Sequence, residues 1–257
     1  MIKKKKEFQQ VYFKGLSPTS VRHTVIEETV KEIIRLAEKE LGKPAKDLTV
    51  LDVGSGWGEY VLELANHTKE VVGVEPYKKL YEEAIKNKKP NVNFFNALIE
   101  DFTYGKKFDL VISLTTIEHM PNVIKSFTTI YKLMKDKSLL YVTAPNKLWP
   151  LEPHYRLPFL SYLPLSIANP YLKMFRKVES FEDSSYALTY FQTKKLFSSF
   201  NWKYSFVLPD PKAVYLGCGE DSSANKLIKK VGIRLIKQFS FFWIFSKGFI
   251  IVARKGK

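Results

Sequence analysis

A single loop, residues 52–58, constrains this chain more than any other segment. Its sequence is Asp-Val-Gly-Ser-Gly-Trp-Gly, so three of the 12 glycines in 257 residues fall within five positions. The apolar pair Val50 and Leu51 precedes the loop, and Val61 and Leu62 follow it, which predicts a strand, a tight turn and a helix. Because glycine lets the backbone approach a ligand closely, and a helix N-terminus offers free N–H groups, the loop predicts a cofactor site.

Three kinds of nucleotide-binding loop compete for this pattern. A Walker loop ends in Gly-Lys-Ser/Thr, whereas Gly58 is followed by Glu59 and Tyr60. The dinucleotide fingerprint G-x-G-x-x-G would require a glycine at the position of Glu59. The spacing here is G-x-G-x-G, with an acid two positions before the first glycine. This form resembles the first motif of the class I S-adenosylmethionine-dependent methyltransferases.

Four later segments follow the order of that family's motifs. Residues 70–76 read as a buried strand ending in an acid, and the resemblance places the Glu75 carboxylate on the ribose hydroxyls of the cofactor. Residues 108–120 resemble the fourth motif, a strand followed by Glu118-His119. The remaining two segments are residues 91–102, part of which lies along the adenine in the family, and residues 139–146.

The resemblance implies S-adenosylmethionine as the cofactor and assigns the residues around it. This chain departs from the family at two positions that often carry an acid, Leu98 and Thr115. The residues that the resemblance assigns to cofactor binding are Asp52, Val53, Gly54, Ser55, Gly56, Gly58, Glu75, Pro76, Leu98, Ile99, Ser113, Leu114 and His119.

Apolar runs and amphipathic stripes alternate along the chain, which predicts an α/β fold with a parallel sheet covered by helices on both faces. With the family resemblance added, the expected fold is a doubly wound, mostly parallel seven-stranded sheet with an antiparallel last strand and an insert after strand 5. The predicted strands are 49–53, 70–75, 92–95, 109–114, 138–144, 203–208 and 247–254. The predicted helices are 17–41, 59–67, 77–88, 121–134, 193–200 and 225–238.

The whole chain, residues 1–257, is expected to form a single methyltransferase domain with five parts. These are a basic tail (1–15), an N-terminal cap helix (16–46), a cofactor-binding core (47–146), an insert (147–192) and the C-terminal part of the sheet (193–257). We call residues 147–192 the cover segment. Prolines within it argue against one long helix, and its many aromatic residues argue against a solvated linker. It is expected to fold over the cofactor end of the sheet as a substrate cover, or else to pack on the sheet as a structural excursion.

A sulfonium cofactor supplies an activated methyl group, so the chain must align an acceptor and, where needed, remove its proton. Histidine is suited to that role, and His119 and His154 are the two candidates among four histidines. Residues 148–159 resemble a stretch after the fifth strand of methyltransferases in surface-glycan and lipid-linked saccharide pathways. That resemblance implies His154 as the base, Glu152 as the group that orients it, and Tyr155 or Arg156 as substrate contacts. No Cys/His cluster with metal-ligand spacing occurs, so no metal is predicted.

The net charge of +15 admits an acidic substrate, nucleic acid or an anionic membrane as partner. Residues 225–238 are predicted to form a basic amphipathic helix that covers the sheet, with membrane docking as the alternative. Its expected buried stripe is Leu227, Ile228, Val231, Leu235 and Ile236. A single cysteine, Cys218, excludes an intrachain disulfide, and the lysine-rich start lacks the apolar region of a secretory signal, so a cytoplasmic location is expected.

These observations favour methyl transfer from S-adenosylmethionine to a hydroxyl or amine of a small-molecule, sugar or lipid-linked acceptor. Two alternatives remain open from the sequence. One is an RNA methyltransferase, motivated by the charge, although the excess of lysine over arginine does not favour it. The other is a non-catalytic regulator or partner subunit that binds S-adenosylmethionine, motivated by Leu98 and Thr115. The oligomeric state is not predicted.

Overall fold

Seven strands form one sheet in the computed structural model, which describes residues 20–176, 178–209 and 223–256. The strands are β1 (Thr49–Val53), β2 (Glu70–Val74), β3 (Val92–Phe95), β4 (Phe108–Leu114), β5 (Met134–Pro145), β6 (Trp202–Val207) and β7 (Gly248–Lys255). The α-helices are α1 (Ser20–Leu41), α2 (Glu59–Leu64), α3 (Lys78–Ala84), α4 (Val123–Leu133), α5 (Leu165–Arg176), α6 (Tyr190–Ser198) and α7 (Ser223–Gln238). The predicted start of the first helix at residue 17, the basic tail and Cys218 lie outside the described residues.

The strand order is β3-β2-β1-β4-β5-β7-β6. Neighbours from β3 to β5 pair in parallel, whereas β7 runs antiparallel to both β5 and β6. The predicted fold class, with an antiparallel last strand, is therefore confirmed. The order reverses between β1 and β4, and ligands of such sheets bind at this reversal, beyond the carboxyl ends of the strands.

The sheet is buried on both faces, which is why its inner strands are continuous apolar runs. Along β1, Val50 belongs to the cluster that contains α1 and α2, whereas Leu51 and Val53 belong to the opposite cluster with α4 and α6. This alternation fixes the register of β1, since a one-residue slip would turn Asp52 toward the other cluster.

One helix of the cover segment was not predicted. Helix α5 runs over 12 residues with Pro170 inside it. Proline removes one backbone hydrogen bond and clashes with the preceding turn, which argued against one long helix in this segment, and no shorter helix was predicted there. The buried side chains Ala168 and Leu172, four residues apart, pack into a cluster within the cover segment and offset that cost.

The orientation predicted for α7 was wrong in its first half. The predicted buried stripe included Leu227 and Val231, but these side chains are 63% and 49% exposed. The side that packs on the core is formed by Ile233, which is buried, and Ile236. An amphipathic pattern with two apolar stripes does not reveal which stripe the sheet covers.

Among the described residues, no helix combines the length and the apolar character needed to cross a bilayer.

Candidate active site

The glycine loop joins β1 to α2 and its shape depends on glycine at position 54. Gly54 has φ +77°, and a Cβ there would lie 2.4 Å from Cγ2 of Thr116. Both Gly54 and Ser55 donate their backbone N–H to the carbonyl of Val74, at 2.8 and 3.1 Å. Thr116 in turn donates its hydroxyl to the carbonyl of Val53 at 3.2 Å. The loops after β1, β2 and β4 are thus locked together at the carboxyl edge of the sheet.

Gly56 differs from Gly54 because its surroundings are open. Its φ is +54°, yet no heavy atom lies within 4 Å of the position that a Cβ would take. The backbone of Gly56 therefore faces space that a ligand can enter closely. Its N–H donates to Oε2 of Glu75 at 2.8 Å, and the N–H of Tyr77 donates to Oε1 at 2.8 Å. These bonds hold the Glu75 carboxylate at the end of β2, beside the glycine loop.

Two buried carboxylates, Asp52 and Glu75, lie at this loop. Burial and the negative charge of Glu75 together raise the pKa of Asp52 to about 8, with burial the larger cause. Burial disfavours the charged form of a carboxyl group, and a like charge nearby disfavours it further. A positively charged ligand would relieve both carboxylates, which suits the ammonium and sulfonium groups of S-adenosylmethionine.

The hydroxyls of Ser55 and Ser113 also favour a polar ligand. Both Oγ atoms are buried and have no hydrogen-bond partner among the described residues. Buried polar atoms are normally paired, so two unpaired hydroxyls, one in the glycine loop and one near the carboxyl end of β4, fit a site built for a polar cofactor. Of the residues expected along the adenine, Ile99 is buried and Leu98 is 43% exposed.

Two histidines from distant segments meet beyond the end of β4. His119 and His154 lie with ring centroids 5.1 Å apart in an edge-on arrangement. Between them is Glu118, which is fully buried. Its Oε1 lies 4.0 Å from Nε2 of His119 and 3.7 Å from Nε2 of His154. Neither carboxylate oxygen of Glu118 has a hydrogen-bond partner among the described residues.

The hydrogen bonds on the Nδ1 atoms fix the orientation of both rings. Nδ1 of His154 lies 2.7 Å from Oε1 of Glu152, whose Oε2 accepts the N–H of Tyr155 at 2.6 Å. Nδ1 of His119 lies 2.6 Å from the carbonyl oxygen of Asp183. Because a carbonyl only accepts, His119 carries its proton on Nδ1, and the neutral ring leaves Nε2 as an acceptor.

The two histidines differ in basicity because their partners differ. Burial and the nearby His154 together lower the pKa of His119 to about 3, so His119 is neutral at physiological pH. Burial also opposes protonation of His154, but the hydrogen bond that His154 donates to Glu152 and the charges of Glu152 and Glu118 outweigh it and raise the pKa of His154. Burial raises the pKa of Glu118 to about 7. The cluster therefore contains one strengthened base and one neutral ring.

A comparison of the chain with known protein families identifies its family. A methyltransferase domain family matches residues 21–203, which is most of the chain. The chain belongs to this family. The assignment to the class I S-adenosylmethionine-dependent methyltransferases, made from the motifs, is thereby confirmed.

Curated relatives match part of this methyltransferase. The ubiquinone biosynthesis O-methyltransferase of Rickettsia bellii is 29% identical over 104 residues, covering 39% of this chain and 43% of that protein. The enzyme of the same name from Pelagibacter ubique is 25% identical over 136 residues, covering 52% and 55%. The methyltransferase thus spans about half the length of these relatives.

Solved structures share the fold over nearly the whole chain. The plantazolicin methyltransferase BpumL, in complex with a triazolic desmethylPZN analog and SAH, has a TM-score of 0.62 at 13% identity, covering 98% of this chain and 91% of that one. The YcgJ protein of Bacillus subtilis has a TM-score of 0.55 at 15% identity, covering 89% and 98%. At such identities the likeness establishes the fold of the methyltransferase alone.

The cover segment holds the histidine cluster from both of its ends. One part supplies His154 and Glu152, and a later part supplies the Asp183 carbonyl and the N–H of Tyr186, which donates to the carbonyl of Glu118 at 3.2 Å. The segment has its own small core, and Tyr77, two residues after Glu75, packs against it. The methyltransferase therefore places the cover segment beside the expected ribose site.

Several predicted site residues occupy unexpected surroundings. Tyr155, expected to contact substrate, is buried in the core of the cover segment with its ring 6.1 Å from that of Phe181. Arg156 is exposed and has φ +52°. Thr115, one of the two departures from the family pattern, also has positive φ, +55°. Such strain in non-glycine residues is typical of functional sites.

Two features of the site were missed from the sequence. Glu118 was noted only as the neighbour of His119, since nothing in a linear pattern shows that its carboxylate would lie between two histidines. The prediction of no metal rested on the lack of a Cys/His cluster with metal-ligand spacing along the sequence. In the fold, Glu118, His119 and His154 each offer a ligand atom within 4.8 Å of the others. Two imidazoles and a carboxylate are donors that a divalent transition metal accepts.

Proposed function

We propose that this methyltransferase moves the methyl group of S-adenosylmethionine to a hydroxyl of a small-molecule, sugar or lipid-linked acceptor, with His154 as general base. The observation that carries the proposal is the buried Glu152–His154 pair, joined at 2.7 Å, at the carboxyl edge of the sheet. A base is needed for a hydroxyl, which must lose its proton as it attacks, more than for a neutral amine. The names of the ubiquinone biosynthesis O-methyltransferases support an oxygen acceptor.

The bound cofactor supplies an activated methyl group on a positively charged sulfur. The residues of the chain hold that cofactor and prepare the acceptor. Glu75 is placed to accept hydrogen bonds from the ribose hydroxyls, while Asp52 and Glu75 together favour the positive charge. Gly56 leaves room for close approach of the cofactor to the backbone.

His154 takes the acceptor's proton at Nε2 in this proposal. Glu152 fixes Nδ1 as the protonated atom and stabilises the imidazolium that forms, as the carboxylate does in other histidine–carboxylate pairs. Burial keeps His119 neutral, and its hydrogen bond to the Asp183 carbonyl fixes its orientation. In this proposal His119 lines the acceptor site as a polar side chain and is not the base. Glu118 lies 3.7 Å from Nε2 of His154 and favours the protonated ring after transfer.

The test is incubation of the protein with methyl-labelled S-adenosylmethionine and a fractionated cell extract, followed by identification of the labelled fraction. His154→Ala should retain cofactor affinity in calorimetry and lower turnover by roughly 10²–10⁴-fold, the usual contribution of a positioned base. Glu152→Gln should lower turnover less and move the rising limb of the pH–rate profile to lower pH, because its charge raises the pKa of His154. His67→Ala is the matched control, since His67 is exposed and pairs only with surface Glu63 at 3.1 Å among the described residues.

Each alternative gives a different outcome in the same assay. Cofactor binding without label in any fraction would support a non-catalytic binding protein. Label that is lost on ribonuclease digestion would support an RNA acceptor. Loss of activity on chelation, restored by a divalent ion, would assign Glu118, His119 and His154 to a metal and remove His154 as the base. Unchanged turnover of His154→Ala at saturating cofactor would also remove that role.

A further inference from the structure

Helix α7 exposes an apolar stripe that is separate from the side packed on the core. Leu227, Val231, Leu235 and Phe239 follow one another at four-residue intervals, the spacing of one side of a helix. Leu227, Val231 and Phe239 are exposed, and Leu235 is half-buried. The helical hydrogen-bond pattern continues to the end of the stripe, since Phe239 donates its N–H to the carbonyl of Leu235 at 2.8 Å. The opposite side, with Ile233 and Ile236, already anchors the helix to the core.

The stripe leads into an exposed cluster of aromatic rings. Phe239, Phe241 and Phe245 are about half exposed or more, at 49%, 54% and 63%. The rings of Phe241 and Phe242 stack at 4.2 Å, and Phe242 contacts Phe245 at 6.4 Å. The same turn is fixed to the protein by Trp243, whose buried side chain belongs to the main core. A rigid turn thus presents three phenylalanines to solvent.

Basic residues flank this apolar surface, and acidic residues are missing. Lys230, Arg234 and Lys237 are exposed on the side of α7 next to the stripe. Residues 223–257 contain nine lysines and arginines and no aspartate or glutamate. A cationic helix with a parallel apolar stripe is the composition of helices that lie in a membrane interface.

We propose that this surface docks the protein on a bilayer that contains anionic phospholipids. We call it the docking face, and it consists of Leu227, Val231, Leu235, Phe239, Phe241 and Phe245 with Lys230, Arg234 and Lys237. The basic residues attract the headgroups, and the apolar side chains enter the boundary between headgroups and acyl chains. A continuous aliphatic and aromatic stripe favours a bilayer over RNA, for which phosphate contacts and base stacking need no exposed Leu227 or Val231.

The docking face adjoins the cover segment. Phe245 and Ile244 line a mostly apolar pocket of about 370 Å³ together with Leu148, Trp149, Pro150 and Tyr162 of the cover segment. Docking would therefore bring the mouth of this pocket to the membrane surface. Pro150, which lines the pocket, lies two residues before Glu152 in the chain. The docking itself does not depend on the methyl-transfer proposal, because the binding assay below requires no turnover.

The experiment is flotation of the full-length protein with phosphatidylcholine vesicles, with and without 30 mol% phosphatidylglycerol, at about 150 mM salt. We expect binding to the anionic vesicles at least tenfold stronger than to the neutral ones. Lys230→Glu with Arg234→Glu should lower the affinity for anionic vesicles by at least tenfold, and Phe241→Ser with Phe245→Ser should do so as well. The control is Lys86→Glu with Lys88→Glu, the same charge change at exposed positions next to β3, at the far edge of the sheet.

Binding of S-adenosylhomocysteine and the circular dichroism spectrum should be the same in all variants, which shows that each variant folds. The proposal is wrong if the wild-type protein does not float with anionic vesicles. It is also wrong if the control pair weakens binding as much as the docking-face pairs. Ultracentrifugation that shows a dimer dissociated by Phe241→Ser with Phe245→Ser would assign the face to a second copy of the chain. Tighter binding to RNA than to vesicles, lost in the Lys230/Arg234 variant, would assign it to nucleic acid.

Discussion

The cofactor-binding core and the cover segment are ordered by different means. In the core, residues 47–146, each strand ends in a short loop, and the loops after β1, β2 and β4 bond directly to one another. In the cover segment, residues 147–192, order comes from a small separate cluster and from contacts with residues far away in the chain, such as Asp183 to His119. The fold of the cofactor-binding core therefore follows mainly from local sequence periodicity, whereas the fold of the cover segment depends on long-range contacts.

This difference between the two regions corresponds to two tasks, binding of the cofactor and action on the acceptor. The cofactor is common to many acceptors, so its site sits in loops that the sheet holds rigidly. The acceptor varies, and the group proposed to act on it, His154, comes from the segment that is inserted into the sheet. Function in such folds is carried by sites added to a shared scaffold.

The strongest test of the rigid half is Gly54→Ala. A Cβ at this position would lie 2.4 Å from Cγ2 and 2.7 Å from Oγ1 of Thr116, on a backbone with φ +77°. Strain and overpacking together should cost about 3 kcal/mol of unfolding free energy. Affinity for S-adenosylmethionine should fall as the loop shifts, and both can be measured by denaturation and calorimetry.

Gly105→Ala provides the control, because nothing lies within 4 Å of its Cβ position and its φ is not positive. It should change stability by less than about 0.5 kcal/mol. Adding Thr116→Ala to Gly54→Ala removes both close atoms and should recover part of the loss. If it recovers nothing, backbone strain alone accounts for the effect and the loop-to-loop contact is unimportant.

The second test concerns the other edge of the core, where Asp109 ties β4 to its neighbours. Its carboxylate accepts hydrogen bonds from Lys43, Lys135 and both the N–H and hydroxyl of Thr49, at 2.7 to 3.0 Å. Burial opposes its charge, yet these bonds outweigh burial and hold its pKa well below the usual range. Asp109→Asn should therefore cost about 2 kcal/mol of unfolding free energy.

The sign of the pH effect follows from the lowered pKa. The stabilisation by Asp109 is fully present above its unfolded pKa of about 4 and is lost as pH falls through the folded value. Urea unfolding between pH 7 and pH 3 measures the full stabilisation at the upper end and the start of its loss at the lower end. Asp101→Asn is the matched control, since Asp101 pairs with Lys125 at 2.8 Å in an exposed position and should contribute less than about 1 kcal/mol. Equal losses at pH 7 would show that Asp109 does not stabilise the core more than a surface pair does.

The core could be predicted from the sequence because its information is local. Glycine spacing, apolar strands and an acid at the end of β2 each depend on a few adjacent residues, and the strands lie within a few residues of their predicted bounds. Pro170 and α7 show the limit. Whether a proline is tolerated within a helix, or which of two apolar stripes packs on a sheet, depends on partners elsewhere in the chain.

The histidine cluster shows the same limit at the site. Both histidines were candidates from the sequence, and the pairing of Glu152 with His154 was expected from a family resemblance. The approach of His154 to Glu118, 36 positions apart, follows only from the path of the cover segment over the end of β4. The same path brings ligand atoms of Glu118, His119 and His154 within 4.8 Å of one another, a grouping that no linear spacing shows.

A third test asks whether the positive charge of the cofactor changes the protonation of the buried carboxyl groups beside the glycine loop. Burial and Glu75 raise the pKa of Asp52 to about 8, so the free protein holds a proton there at pH 7. A positively charged ligand favours the ionised form, so binding should release this proton. Affinity for S-adenosylmethionine should therefore rise with pH up to about 8 and then level off, by up to about tenfold per pH unit.

Calorimetry in two buffers of different ionisation enthalpy measures the released proton directly. The product S-adenosylhomocysteine keeps the ammonium group but lacks the sulfonium charge, so it serves as the control ligand, with a smaller pH dependence. Asp52→Asn should remove most of the slope. A slope that persists unchanged in Asp52→Asn would show that another group titrates, and the account of the two carboxylates would then need revision.

The smallest effect is expected in the cover segment, from Pro170→Ala. Alanine restores a backbone hydrogen bond in α5 and removes the clash with the preceding turn, at the expense of a more flexible unfolded chain. The net gain should be about 1 kcal/mol, or roughly 2–4 °C in Tm for a chain of this size. Pro90→Ala, in the turn between Lys89 and Val92, should have the opposite sign. If Pro170→Ala slows proteolysis of residues 147–192 without any change in Tm, the cover segment unfolds separately from the core. The two regions would then differ in stability as well as in the origin of their order.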